Sequence, residues 1–452
     1  MSISGHRAPW FRVAALLLAG AVCGSADPAG NYSFEIVAST GQTSHGVTFG
    51  GYLQPGGINL FGWLSFAPSV TPTGSGEAVF LRGLTGLTKV RAAGDPLPGG
   101  AKFGYTLGPI SMNIGGDTAF ISTDLSVPLP LGLGAGVYRT VFDSPLVTPL
   151  VLPGVTRTPA GTVYQGAAFN AQLNDLYNTV FPGMICSTAA TKVPAFLPNP
   201  CSQGQLAFGI YQADILGRIT AIVEPGTAAP GGSTFDYAQV PFNNNLGDIA
   251  FDGHVYADPC NDSSGQQASR VFCDESVFLR NGRTGAIVSI ARQGRPSPVA
   301  GQNYNYAFGP VLNNLGDLVF LGNLSQSGKN AVFLHSQGTT VVIARPGDAL
   351  PGGHVMAQAG TFPHNAYVND NRQVAFVATL DNGDQGLFVW SEGTVRLVAK
   401  TGTQLGGSTI ANLDDFGAGA ASTQLAINDR GQILFAANLA SGVDALVLAT
   451  PK

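Results

Sequence analysis

Apolar residues along this chain come in short β-branched and aromatic runs, separated by turns rich in Gly, Pro and Asn. That alternation predicts strands, and outside the N-terminal segment no stretch carries a helical period. The runs repeat. An Asn stands seven residues before a Phe in Asn113/Phe120, Asn174/Phe181, Asn244/Phe251, Asn313/Phe320, Asn369/Phe376 and Asn428/Phe435. A seventh copy in this frame, Gln54/Phe61, has Gln for Asn. The period is about 55–70 residues, in the range of propeller blades or somewhat longer. Each Phe is followed by a loop of variable length and an apolar segment (78–81, 136–138, 209–211, 277–279, 332–334, 387–389, 446–448). A further strand then ends in Gly41, Gly94, Gly154, Gly226, Gly294, Gly347 or Gly402, and a Gly/Pro connector and fourth strand lead to the next Asn.

Four short antiparallel strands per unit, repeated radially, describe a β-propeller. A linear β-solenoid is the alternative, although its coils are usually shorter. The expected fold is all-β, a seven-bladed β-propeller of four-stranded blades forming one domain over 27–452. The ends favour closure: the last repeat stops after 446–448 without its final strand, and 34–41 matches that strand and its Gly. The N-terminal strand would thus complete the last blade and leave no open sheet edge. The Asn and the Gly three positions on (Gly57, Gly116, Gly247, Gly316, Gly431) bracket a tight turn. Asn bonds the backbone two residues on, and Gly accepts positive φ. Tyr177 and Arg372 replace the Gly in two copies, so those turns are expected to differ. The Phe suits packing between neighbouring blades. The Asn residues could instead be ligands around a ring, but turn chemistry already accounts for them.

The copies resemble the tandem repeats of exported bacterial proteins carrying an NxxGxxxAF motif, and the resemblance covers nearly all of the chain after the N-terminal segment. It implies export and no settled activity. Anchored members carry a C-terminal sorting segment; 446–452 has none, so release is expected.

The N-terminus changes the picture of compartment. Arg7 and Arg12 lead into the apolar stretch 13–22, followed by Gly24, Ser25 and Ala26. Basic, apolar and small-residue regions in that order predict a cleaved signal peptide over 1–26. The apolar stretch is short of the roughly 20 residues that a spanning helix needs. Cys23 invites a lipoprotein reading, but 20–22 does not resemble a lipobox. The other cysteines form two local couples, Cys186/Cys201 and Cys260/Cys273. Two disulfides in an oxidising compartment fit better than zinc, which usually wants CxxC spacing or nearby histidines. Charged residues are only 11% of the 452 and the net charge is −5. With no basic block, a nucleic-acid partner is not expected. No membrane span, cofactor or metal is expected, and a monomer is.

Catalytic signatures are scarce: no GxSxG, HExxH, Walker or dinucleotide motif stands in a suitable context. Catalytic residues are therefore left unassigned. Topology restricts where a ligand could bind. The Asn turns lie on one rim, and the post-Phe loops and Gly/Pro connectors on the other. Long loops on a rigid scaffold tend to carry function. The post-Phe rim over repeats one to four is thus the expected site, through 63–76, 122–134, 184–205 and 252–270. Trp63, Asp95, Asp252 and His254 are the candidate binding residues. The function read from this is a non-catalytic scaffold for an extracellular glycan, peptide or protein. A propeller hydrolase or lyase acting on polysaccharide and a structural extracellular protein are the alternatives.

Overall fold

The computed structural model describes residues 31–72, 75–127, 133–142, 144, 146–190, 199–258, 275–413 and 424–452. The proposed signal peptide, Cys260 and Cys273 lie outside the described residues. Seven antiparallel sheets follow one another around a ring, each built on four successive strands running from an inner to an outer edge. In blade 4 these are Ser233–Asn243, Ile249–Val255, Ser276–Arg280 and Ile287–Ala291. The fold is a seven-bladed β-propeller. The ring closes as the split repeat requires: the strand Tyr32–Ser39 is the outermost of blade 7, paired with Asp444–Pro451 from Tyr32↔Pro451 to Ser39↔Ala445. Among the described residues no helix is long and apolar enough to cross a membrane.

The repeat Phe packs within its blade as well as between blades. It faces an aromatic residue directly across to the third strand, as in Phe66↔Phe80, Phe251↔Phe278 and Phe320↔Phe333. Those rings stack at centroid distances of 5.7, 5.6 and 5.3 Å. All six are fully buried; each such side chain is worth about 1.5–3 kcal/mol of burial. Neighbouring blades are stitched at the connectors. The N–H of each of the seven connector glycines donates to the first strand of the next blade, from Gly41 to Phe49 O (2.9 Å) through Gly402 to Ile410 O (2.8 Å). These glycines have φ between 73° and 95°, the left-handed region where a side chain would be strained.

One repeat is out of register with the sequence frame. Gln54 is not a turn residue; it is buried in the inner strand Val47–Ile58, opposite Ala67. The seventh turn is Asn59, with Gly62 (φ 81°) three positions on, in place of Gly57, and Phe66 seven on. Asn59 Oδ1 accepts the N–H groups of Phe61 and Trp63 (3.0 and 3.1 Å), as Asn174 Oδ1 accepts those of Leu176 and Asn178. The correction follows from burial: Phe66 is 0% exposed and Phe61 53%.

Nor do the turns without glycine differ. Tyr177 and Arg372 adopt φ of 62° and 57°, the glycine conformation. Each spends its side chain on the preceding blade: the Tyr177 hydroxyl donates to Asp117, and Arg372 Nε to Asp317 Oδ2 at 2.9 Å. These bonds offset backbone strain of about 1 kcal/mol or more.

Candidate functional site

The Asn residues do more than shape turns. While Oδ1 serves its own turn, Nδ2 reaches a main-chain oxygen of the next blade in six copies; Asn113 Nδ2 instead donates to Asp117 Oδ2 in its own turn at 3.2 Å. Asn174, Asn244, Asn313, Asn369 and Asn428 donate to the main-chain oxygens of Asn244, Asn313, Asn369, Asn428 and Asn59 at 2.8–3.0 Å. Asn59 continues the ring to Ile114 O at 3.1 Å. These amides are buried, so every bond also satisfies a group that would be costly unpaired.

The residue after each Asn forms a second, inner ladder. The Oδ1 atoms of Asp175, Asn245, Asn314, Asp370 and Asp429 accept the main-chain N–H of Ile114, Asp175, Asn245, Asn314 and Asp370, each in the preceding blade, at 2.7–2.9 Å. Leu60 and Ile114 occupy the same place in blades 1 and 2 and break the ladder. Together these residues rim a central cavity of about 450 Å³ to which all seven blades contribute. Below the rim the wall includes Phe242, His364 and Tyr367; Phe242 meets Tyr367 edge to face at 5.5 Å. His364 is 4% exposed, has φ of 65°, and its Nδ1 has no hydrogen-bond partner among the described residues. Burial pushes its imidazole down to about 4, so the ring is neutral near pH 7. Asp429 is raised, first by burial and then by the charges of Asp370 and Asp175, against the N–H of Asp370 that lowers it. The mouth is electronegative, and among the described residues lining the cavity there is no Lys or Arg.

A second polar group lies inside blade 4. Asp252 and His254, two positions apart on one strand, are 0% and 1% exposed. His254 Nδ1 is 3.5 Å from Asp236 Oδ2, and its ring stacks on Tyr237 at 5.7 Å. Gly309 N–H bonds both Asp252 oxygens (3.1 and 3.0 Å), and Gln239 donates to Glu275. Burial, then the charge of Glu275, hold the Asp252 carboxyl well above its ordinary value, against the Gly309 N–H.

The structure thus brings two of the four sequence candidates together and separates the others. Asp252 and His254 sit in the blade interior, not on a rim loop. Trp63 lies on the Asn-turn rim, opposite to the expected one, because Asn59 sets the register of blade 1; it stacks on Phe142 at 4.5 Å. Asp95 is engaged in its own connector, accepting Ala92 N–H at 2.8 Å and pairing with Lys89 at 3.2 Å. Cys186, near the end of the strand Thr179–Ser187, and Cys201 form a disulfide across the blade 3 loop. Much of the loop group 122–134, 184–205 and 252–270 lies outside the described residues. Asp175, Asp370 and Asp429 were missed, although each follows a repeat Asn directly.

A seven-bladed ring with a polar-rimmed central channel is the class of protein these features define. A family of unknown function, DUF7453, matches residues 195–445, more than half of the chain, and the chain belongs to it. No curated protein matches it in sequence. Among solved structures it is similar to a puromycin-hydrolysing peptidase of Mycobacterium tuberculosis (12% identity, TM-score 0.48, covering 88% of this chain and 51% of that one). It is also similar to a PL25 ulvan lyase (11%, 0.45, 90% and 95%) and to TolB of Acinetobacter baumannii (10%, 0.36, 78% and 65%). The chain spans about half the length of the peptidase.

Proposed function

We propose that this chain is an exported binding propeller, akin to the NxxGxxxAF repeat proteins, that takes its ligand into the central channel through the Asn-turn mouth. The observation that carries the reading is the convergence of all seven blades on one cavity with a ring of amides and carboxylates at its rim. A rigid scaffold with a few oriented polar groups around a concave wall is the usual form of a small-ligand site. Export is supported by the basic-apolar-small order of the first 26 residues and by the Cys186–Cys201 bridge. The test is a ligand screen of the secreted protein, glycan array included, followed by two variants. Tyr367→Ala alters the channel wall; replacing 188–204 by a short turn removes a post-Phe loop. Loss of binding in the first alone supports the channel, and loss in the second alone returns the site to the loop rim.

A propeller enzyme is the second reading, favoured by the four titratable groups Asp236, Asp252, His254 and Glu275 gathered in blade 4. A perturbed carboxylate, Asp252, beside a His–Asp pair suits acid–base chemistry. A hydrolase and lyase screen that gives turnover abolished by Asp252→Asn would replace binding by catalysis.

A further inference from the structure

Charge at the channel mouth is not neutralised by the ladder it sits in. The ladder needs an oxygen that accepts a main-chain N–H from the preceding blade, and Asn245 and Asn314 supply one with a neutral amide at 2.9 Å. Asp175, Asp370 and Asp429 do the same job with a carboxylate at 2.7–2.8 Å. Three like charges around one opening repel each other, and Asp429 feels both of the others. Asn245 Nδ2 and Asn314 Nδ2 donate to Asp175 Oδ2 and Asp370 Oδ2 at 2.7 and 3.0 Å, but among the described residues lining the cavity there is no Lys or Arg to neutralise the three charges. The amide bonds use the second oxygens of Asp175 and Asp370 without neutralising them; a positively charged occupant would.

The rest of the cavity says what kind of cation. Among the described residues no group of three or more His, Cys, Asp or Glu is close enough to hold a metal ion, so the three carboxylates are spread around the mouth and do not form a chelate. Beneath them the wall is aromatic, with Phe242 against Tyr367 at 5.5 Å and His364 at 6.4 Å. Aromatic faces attract organic ammonium groups and accept the alkyl carbons that carry them. The buried Nδ1 of His364, without a partner, adds a neutral polar atom in the wall of the same cavity. A volume of about 450 Å³ admits a small molecule or the end of a chain.

We propose that the channel binds a small organic polycation, its ammonium groups distributed over Asp175, Asp370 and Asp429 and its carbon skeleton set against Phe242, His364 and Tyr367. This rests on reading the channel as the binding site. Titration calorimetry of the full chain with spermidine and with tetramethylammonium tests it, against the triple variant Asp175→Asn, Asp370→Asn, Asp429→Asn. In the triple variant Oδ1 still serves each main-chain N–H, but the new NH₂ groups at 175 and 370 face the Asn245 and Asn314 amides, so its urea midpoint should fall; Asp429→Asn, which meets no such amide among the described residues, should keep the parent's midpoint and by itself weaken spermidine binding. Spermidine should bind the parent, more weakly as salt rises, and bind the triple variant at least about tenfold more weakly, since three charge pairs are lost together. Absence of amine binding, equal binding to the triple variant, or equal binding of calcium ion to the parent would overturn the inference. A neutral sugar that binds in place of amines and is lost in Tyr367→Ala would overturn it while leaving the channel as the site. A ligand bound equally by the parent, the triple variant and Tyr367→Ala would remove the channel reading too.

Discussion

Asn428→Asp separates a turn residue from a latch between blades. An Asp side chain offers the same oxygen to the N–H groups of Arg430 and Gln432, which Asn428 Oδ1 accepts at 3.1 and 3.0 Å. As a turn residue Asp is nearly as good as Asn. What Asp lacks is the donor. Asn428 Nδ2 donates to Gln432 Oε1 at 2.9 Å and to Asn59 O at 2.8 Å, the bond that joins the last blade to the first. The Gln432 amide can turn to offer its NH₂ instead; the Asn59 carbonyl belongs to the main chain and cannot. A carboxylate would face that oxygen in a site only 5% exposed. The lost bond costs about 1 kcal/mol, and an unmatched acceptor pair in a buried site about 1–3 kcal/mol more. Asn428→Asp should therefore destabilise by about 2–4 kcal/mol at neutral pH, as much as Asn428→Ala. The sign with pH follows. Burial and the facing oxygen raise the folded-state pKa of the introduced carboxyl, and its protonated form recovers the donor. The penalty is smallest below the ordinary carboxyl range and grows as pH rises. Urea midpoints at acid and neutral pH, with m unchanged, measure it. A neutral-pH loss under about 0.5 kcal/mol for Asp, beside a clear loss for Ala, would refute the latch.

Three further outcomes follow from the same geometry. Asp317 is held below its ordinary value, because hydrogen bonds from Ser336, Asn313 and Arg372 and the Arg372 charge outweigh burial; its stabilisation is present above about pH 3.9 and is lost as pH falls through the folded-state value. Arg372→Ala should cost about 0.5–1 kcal/mol, screened because Arg372 is half exposed, and Arg372→Gly should cost less by relieving φ of 57°; thermal melts rank them. Asp252, raised by burial and Glu275, works in the opposite sense: its favourable contribution is complete below the ordinary carboxyl pKa and lost as pH rises through the folded-state value. Asp252→Asn should thus stabilise the fold at mildly alkaline pH and leave it unchanged in acid, read from melting temperature against pH. Removing both Cys186 and Cys201 as alanines should cost about 3 kcal/mol, by the closure of a loop of 15 residues, and unreduced peptide mapping should recover the bridge from the parent.

The architecture was legible because blade structure is written in local signals. Strand, turn and connector each occupy a few consecutive residues, and the split repeat at 34–41 and 446–448 is a match between two short segments. The error in the first repeat came from the same source. Residues 54–66 contain two overlapping frames, Gln54/Phe61 and Asn59/Phe66, and a local reading cannot say which Phe is buried. What a turn residue does for the next blade is a contact between positions 55–70 residues apart, and 369 apart where the ring closes, so Asn428 read as a turn and its bond to Asn59 did not show. The candidate sites, however, were within reach of a comparison down the repeat columns. Asp252 follows its Phe where the other blades place Ala67, Ile121, Pro182, Leu321, Val377 and Ala436, and its buried carboxylate breaks an otherwise apolar column. Asp175, Asp370 and Asp429 stand in a column where Asn also accepts the main-chain N–H, and the Asn amides of that column donate to Asp175 and Asp370. In a repeat protein the shared residues describe the blade, because every blade needs them. A charge that only some blades carry, and that no cation in the described wall neutralises, is what the proposed ligand would balance at the channel mouth.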